Sequence, residues 1–204
     1  MTIYDVYKFN IPILKGISAK NIEEHLKLYA GYVKNANLIL EKIEELEKDS
    51  DPSTPKGQGN VYLLGELMRR FSFEYNGMRN HEVYFGQLEG GTKALSTSSS
   101  LKKAIAKEWG SFDGWLQSFK SLAMTRGIGW AMLFYDRKEK RLLLTWVDEQ
   151  HLGQLQDCAL ILGLDMWEHA FVYDYPTSEK KKYVEAFFEN LNWETVEENF
   201  KKAQ

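Results

Sequence analysis

The chain carries only four histidines, His25, His81, His151 and His169, so any imidazole chemistry must come from these. The most telling context is "GLDMWEHAF", in which Asp165 and His169 stand four apart. That spacing puts them on one face of a helix or around one turn. A carboxylate and an imidazole so placed can share a metal, and neither packs cheaply in apolar surroundings unpaired. The same pattern also describes a surface pair or a hydrogen-bonded core histidine. His81 lies in "NGMRNHEVYF", with Gly77 four residues before it and Phe85 four after. Its face is small on one side and aromatic on the other, which suits a ligand or a satisfied core histidine. His25 lies in "IEEHLKLYAGYV", seven positions before Tyr32, with Glu24 beside it.

The elements that must position these groups read as follows. Ser18 caps a helix from 19 to 48, in which Ile22, His25, Leu28, Tyr29, Tyr32 and Val33 recur at three- and four-residue spacing. "SDPSTPKGQGN" (50–60) reads as a loop dense in Ser, Pro and Gly. A second helical region, "VYLLGELMRRFSFEYNGMRNHEVYFGQL", is expected to bend near Asn76–Gly77, and Gly90–Gly91 closes the hairpin. "SSSLKKAIAKEWGSF" and "FDGWLQSFKSLAMTR" read as two further helices. The period then changes: "GWAMLFYD" and "RLLLTWVDE" flank the turn "RKEK" as a β-hairpin. "HAFVYDY" offers a further strand or a short extended segment, and the stretch from "SEKKKYVEAFF" onward returns to helix. No internal repeat is found. The fold class is therefore α+β: a long N-terminal helical hairpin (1–91), then a domain (92–204) with a small antiparallel sheet packed against helices.

At 204 residues, 44% hydrophobic and 14% aromatic, the chain can bury a substantial core. A net charge of −3 advertises neither nucleic acid nor an anionic membrane as partner. The one cysteine, Cys158 in "CALILGL", cannot form an internal disulfide and reads as a small buried hydrophobe. The N-terminus shows no signal peptide and no stretch is long enough to span a membrane, so the expected location is the cytoplasm.

Several stretches together resemble the iron/manganese superoxide dismutase family. "GLDMWEHAF…YVEAFFENLNWETVEENF" is similar to its C-terminal signature, whose D-x-W-E-H-A is highly specific. "SLKKAIAKEWGSFDGWLQSFKSLA", "GIGWAMLFYD", "NHEVYF" and "EEHLKLYAGYVKNAN" resemble, in turn, its second-domain helices, its glycine–tryptophan strand, its asparagine–histidine helix and its first ligand helix. The likeness covers nearly the whole chain, is strongest from Ser98 to Phe200 and is loosest over the first 17 residues and 45–65.

The resemblance implies one manganese or iron ion per chain, held by three imidazoles and one carboxylate, and disproportionation of superoxide. Asp165, His169 and His81 match three ligands. The fourth comes from the first helix, where ungapped alignment on "YAGYVKNAN" sets the family histidine on Glu24. Residues seven apart on a helix differ by about 20° and residues eight apart by about 80°. His25 thus faces one metal together with Tyr32 on a regular helix, whereas Glu24 needs a π-bulge. His25 is the preferred ligand.

By the same resemblance Tyr32 is the gateway tyrosine that relays protons. Gln150 is the amide that touches the bound solvent, with His151 as its rival. Gly77 stands where iron-type members place a glutamine, which leans toward manganese. Trp130 and Trp167 wall the site, and Phe85 replaces a wall tryptophan. Glu168 crosses a homodimer interface to the partner's ligand histidine. The family's second pair of helix histidines is absent, with Leu28 and Tyr29 in that region, and its tyrosine after "WEHA" is matched by Phe171–Val172. Three alternatives remain open. One is another non-haem iron oxidoreductase using His81, Asp165 and His169 with His25 idle. The second is a metal-binding dimer that has lost turnover, and the third is plain packing.

Overall fold

The computed structural model describes residues 3–204. Two long antiparallel helices form the first half: α1 (Ala19–Glu47) and α2 (Pro55–Gly86). Ser18 Oγ accepts the Asn21 N–H at 3.1 Å and opens α1. Thr54 Oγ1 accepts the Gly57 N–H at 3.0 Å, with Pro55 in the first turn, and opens α2. Each cap satisfies a donor that the helix itself cannot pair. The expected loop over 50–60 is therefore shorter: its second half is already helix, because proline at the first position costs no hydrogen bond. α2 runs through Asn76 and Gly77 as continuous α-helix.

The second half holds α3 (Ser100–Trp109) and α4 (Phe112–Ala123), then β1 (Gly129–Asp136), β2 (Arg141–Asp148) and β3 (Cys158–Asp165), and last α5 (Lys180–Asn190) and α6 (Trp193–Ala203). The sheet is antiparallel in the order β2-β1-β3. β1 is the central strand and is buried along nearly its whole length. The expected β1–β2 hairpin is present. The third strand is not "HAFVYDY": residues 168–170 form a short 3-10 turn, and β3 is the run "CALILGLD" instead. Cys158, at the start of β3, is half-buried rather than fully buried. The C-terminal helical stretch breaks at Leu191–Asn192, where the Asn192 side chain caps α6.

Two contacts frame the future site, the first of them between the halves. The Gln87 side chain donates to Gly163 O and accepts from Gly163 N–H, both at 2.9 Å, which ties the end of α2 to β3. The Met166 N–H donates to Gly129 O at 2.9 Å, fixing the exit of β3 against the start of β1. The core runs without interruption from Tyr29, Tyr32 and Val33 on α1 through Tyr84 and Phe85 on α2 to Trp130 and Leu133 on β1. Among the described residues no helix is long and apolar enough to cross a membrane.

Candidate metal centre

α1 delivers His25. The helix is unbroken from Ala19 to Glu47, and His25, Tyr29 and Tyr32 all lie on its buried face. Glu24 points the other way, its carboxylate 2.5 Å from Lys20 Nζ and 3.0 Å from Lys27 Nζ. The geometry therefore places His25, not Glu24, among the other candidate ligands. α2 delivers His81, fully buried, with its Nδ1 2.6 Å from Gly77 O. β3 ends on Asp165, also fully buried, and the 3-10 turn that follows carries His169.

Three imidazoles converge on one oxygen of the fourth side chain. Asp165 Oδ2 lies 3.0 Å from His169 Nε2, 3.2 Å from His25 Nε2 and 3.4 Å from His81 Nε2. One potential ligand atom from each residue lies within 4.8 Å of all the others. The other carboxylate oxygen, Oδ1, accepts the Trp167 N–H at 2.8 Å.

The electrostatics show what such a cluster needs. Burial depresses His81 to about 3, and its neighbour His25 pushes the same way, so His81 is neutral at ordinary pH. Its single proton sits on Nδ1, donated to Gly77 O, which leaves a lone pair on Nε2. That buried nitrogen has no hydrogen-bond partner and faces a carboxylate oxygen, an acceptor opposite an acceptor. Burial also lowers His25, against a weaker upward pull from Asp165. Burial favours the protonated form of Asp165, but the charge and hydrogen bonds of His169 and His25 outweigh it and hold the carboxyl well below its usual range. The His81 Nε2 lone pair and the Asp165 carboxylate repel each other unless a cation lies between them. Three imidazoles with one carboxylate form a donor set suited to a first-row transition ion. The residues therefore fit a metal.

Around this cluster the other predicted residues take definite places. Gln150 is fully buried between two partners: its Oε1 accepts the Trp130 indole N–H at 3.0 Å, and its Nε2 donates to Tyr32 Oη at 3.0 Å. His151, the rival, packs edge-on against Phe73 at 5.7 Å. The Trp130 ring stands 5.1 Å from His81, Phe85 stands 4.9 Å from His25, and Trp167 stacks on His169 at 5.7 Å. Gly77 serves packing: a Cβ there would lie 2.5 Å from the Tyr32 ring. Glu168 is exposed, and the adjoining His169 side chain keeps 26% of its surface open. Tyr29 accepts the Tyr7 N–H at 3.1 Å beneath the N-terminal arm, and Phe171 is buried against Tyr183. The reading in which His25 stands idle does not match its placement beside Asp165.

Sequence reasoning missed the supports of Gln150. Asn80 Nδ2 donates to Gln150 O at 2.9 Å, and Gln154 Nε2 donates to Asn80 Oδ1 at 3.1 Å. The Trp167 indole N–H donates to Glu149 O at 3.1 Å, so consecutive carbonyls of the turn are each held. Asn80 adjoins a candidate ligand and could have been suspected from that. Gln154 Nε2 also reaches Gln150 O at 3.3 Å, but its bond to Asn80 spans 74 residues and leaves no local pattern.

Comparison with known proteins agrees with this geometry. The family model described as iron/manganese superoxide dismutases, C-terminal domain, matches residues 97–199. A superoxide dismutase (Fe) of Aquifex pyrophilus is 36% identical over 191 residues, covering 93% of this chain and 87% of the relative. A superoxide dismutase (Fe) of Pyrobaculum aerophilum is 31% identical over 193 residues, 92% and 85% of the two chains. A mitochondrial superoxide dismutase (Mn) of Glossina morsitans morsitans is 30% identical over 194 residues, 93% and 84%. Relatives named for either metal align across the helical hairpin as well as the sheet domain. With the His25–His81–Asp165–His169 cluster formed between those same two parts, the chain belongs to the iron/manganese superoxide dismutase family.

Proposed function

We propose that this protein disproportionates superoxide to dioxygen and hydrogen peroxide at one manganese or iron ion held by His25, His81, His169 and Asp165. The observation that carries the reading is the convergence of three imidazole nitrogens on Asp165 Oδ2, in a chain of this family. When bound, the ion supplies the one-electron oxidation of one superoxide and the one-electron reduction of the next.

The chain's own residues supply position, protons and dryness. Peroxide formation consumes two protons, and Tyr32, whose ring lies 5.0 Å from that of His81, can give one. The Gln150 amide donates to Tyr32 Oη, so the phenol keeps its own O–H free to donate toward the site. Burial first, then the Asp165 and Glu74 charges, raise Tyr32 above the ordinary phenol range and keep it protonated. The Trp130 indole holds the opposite end of Gln150, so the amide cannot flip and present its oxygen to Tyr32. Trp130, Phe85 and Trp167 form an apolar wall that limits water at the cluster.

The metal is read from the amide. Gln150 approaches from the turn after β2, with glycine at 77, which favours manganese, while the Aquifex and Pyrobaculum relatives are named for iron. A homodimer is supported by the exposed Glu168, the partly open His169 and the exposed apolar pair Val172 and Tyr173 that follows. In it Glu168 would reach the partner's ligand histidine. The boundary between the two domains falls after Gly91, where two consecutive glycines take positive φ. The cytoplasm remains the proposed location.

The test is direct. Protein grown separately with manganese and with iron is purified, its metal per chain measured, and superoxide decay followed after rapid generation. One ion per chain with decay first-order in enzyme is expected. A metal-loaded protein that leaves the decay at its spontaneous rate would overturn the proposal. Sedimentation at micromolar concentration checks the dimer, which a monomer alone would refute.

A further inference from the structure

Three of the four candidate ligands stand on regular elements: His25 on α1, His81 on α2 and Asp165 at the end of β3. His169 does not. It sits in a three-residue 3-10 turn, followed by further turns as far as 174. So short a turn cannot hold a side chain to metal-site precision by itself and needs support from its surroundings.

That support comes from a residue outside the proposed chemistry. Asn21 lies one turn before His25 on α1 and is 1% exposed. Its Nδ2 donates to Ala170 O at 3.0 Å, the carbonyl one residue after His169. The same Nδ2 lies 3.0 Å from Asp174 Oδ2 and donates its second hydrogen there. Asp174 Oδ2 also accepts the Ser18 N–H at 2.8 Å, at the N-cap of α1. Both hydrogens of one buried amide are thus spent on the segment that carries His169. The His25 and His169 rings meet 5.0 Å apart across this junction. Burying an amide costs free energy unless its donors are paired, and here they are paired only if the His169 turn is in place.

We infer that Asn21 and Asp174 form a clamp that positions His169 relative to His25. It fixes how firmly the centre retains its ion, and it rests on the metal-centre reading above. Neither side chain is hydrogen-bonded to a ligand side chain, so both are positioning residues.

The experiment uses the full-length metal-loaded protein and measures three quantities: metal release to a chelator, the visible absorption of the oxidised ion, and melting of the metal-free form. Asn21→Leu removes both donors at similar volume, Asn21→Ser keeps a single hydroxyl donor, and Asp174→Ala removes the acceptor. Asp174→Asn keeps a carbonyl acceptor and serves as the rescue. Tyr175→Phe is the control, since it deletes the Tyr175 Oη–Gly16 O bond (2.6 Å) of the same segment without touching Ala170. Asn21→Leu and Asp174→Ala should release metal about 10–100-fold faster with a shifted absorption band. Asn21→Ser should fall between, and Asp174→Asn and Tyr175→Phe should stay near the parent protein. If Asn21→Leu does not fold, Asn21→Ser and Asp174→Ala carry the test. Unchanged release and absorption in Asn21→Leu, or an equal effect from Tyr175→Phe, would overturn the clamp. A parent protein that binds no ion would instead overturn the metal centre itself.

Discussion

Replacing Gly77 by alanine forces α2 and Tyr32 into the same space. A Cβ at that position lies 2.5 Å from Tyr32 Cδ1, 2.7 Å from Cε1 and 2.9 Å from Cγ. Carbon atoms pack comfortably at about 3.5–4.0 Å, so one side must retreat by about 1 Å. α2 cannot yield easily, since Gly77 O accepts the His81 Nδ1–H and Gln87 is bonded twice to β3. The tyrosine ring therefore moves. A withdrawal of about 1 Å takes Tyr32 Oη out of hydrogen-bond range of Gln150 Nε2, now 3.0 Å away. Overpacking costs about 1–3 kcal/mol, and exchanging glycine for alanine in a helix returns about 1 kcal/mol. The net loss is about 0–2 kcal/mol, which lowers the melting temperature by several degrees at most. Activity suffers more, because a misplacement of about 1 Å in a positioned group can cost about 100-fold. The assay is superoxide decay by fast kinetics on metal-replete protein, with metal content and melting measured on the same sample. Gly77→Ala at parental turnover with the Tyr32–Gln150 bond intact in its crystal structure would refute this reasoning.

Three other outcomes follow from particular residues. Glu24→Ala should retain metal and activity, having lost only its pairs with two exposed lysines, while His25→Ala should lose both; metal analysis of the two variants separates them. Gly65→Ala should stabilise the protein by about 0.5–1 kcal/mol, read as a higher denaturation midpoint, because its Cβ meets nothing within 4 Å on an exposed helical face. Tyr84 and Tyr183, both fully buried with their hydroxyls 3.1 Å apart, are raised above the ordinary phenol range by burial. They should stay un-ionised in an ultraviolet titration carried past about pH 10, where a free phenol ionises. Since the unfolded chain ionises first, stability should be fully present below about pH 10 and fall as pH rises beyond it. Ionisation of all eleven tyrosines in a single step without unfolding would contradict their burial.

Much of this protein is written in local patterns. The three- and four-residue recurrence from Ile22 to Val33 defines α1 because helical periodicity depends only on near neighbours. The same periodicity separates His25 from Glu24, since one residue of shift rotates a side chain by about 100°. "GWAMLFYD" and "RLLLTWVDE" likewise declare a hairpin through the polar turn between them. β3 was less legible. "CALILGLD" is apolar on both faces, so it lacks the alternation that marks a strand, and "HAFVYDY" reads as the strand candidate instead.

What only the tertiary structure decided is where side chains meet. Gly77 sits inside α2, and what the position needs is room for a ring 45 residues earlier in the chain. Gln150 and His151 are neighbours in one turn. Gln150 reaches Tyr32 because Asn80 and the Trp167 indole grip successive carbonyls there, the latter at Glu149, which takes a positive φ. The convergence of three imidazoles on Asp165 Oδ2 is of the same kind. Residue type and family motif nominated each member of "IEEHLKLYAGYV", "NHEVYF" and "GLDMWEHAF". Distances of 3.0–3.4 Å between residues as far as 140 positions apart required the hairpin, the sheet and the Gln87–Gly163 tie to form together. Periodicity is a property of the local backbone. A metal-sized gathering of ligand atoms is a property of how distant segments pack, and no single segment contains it.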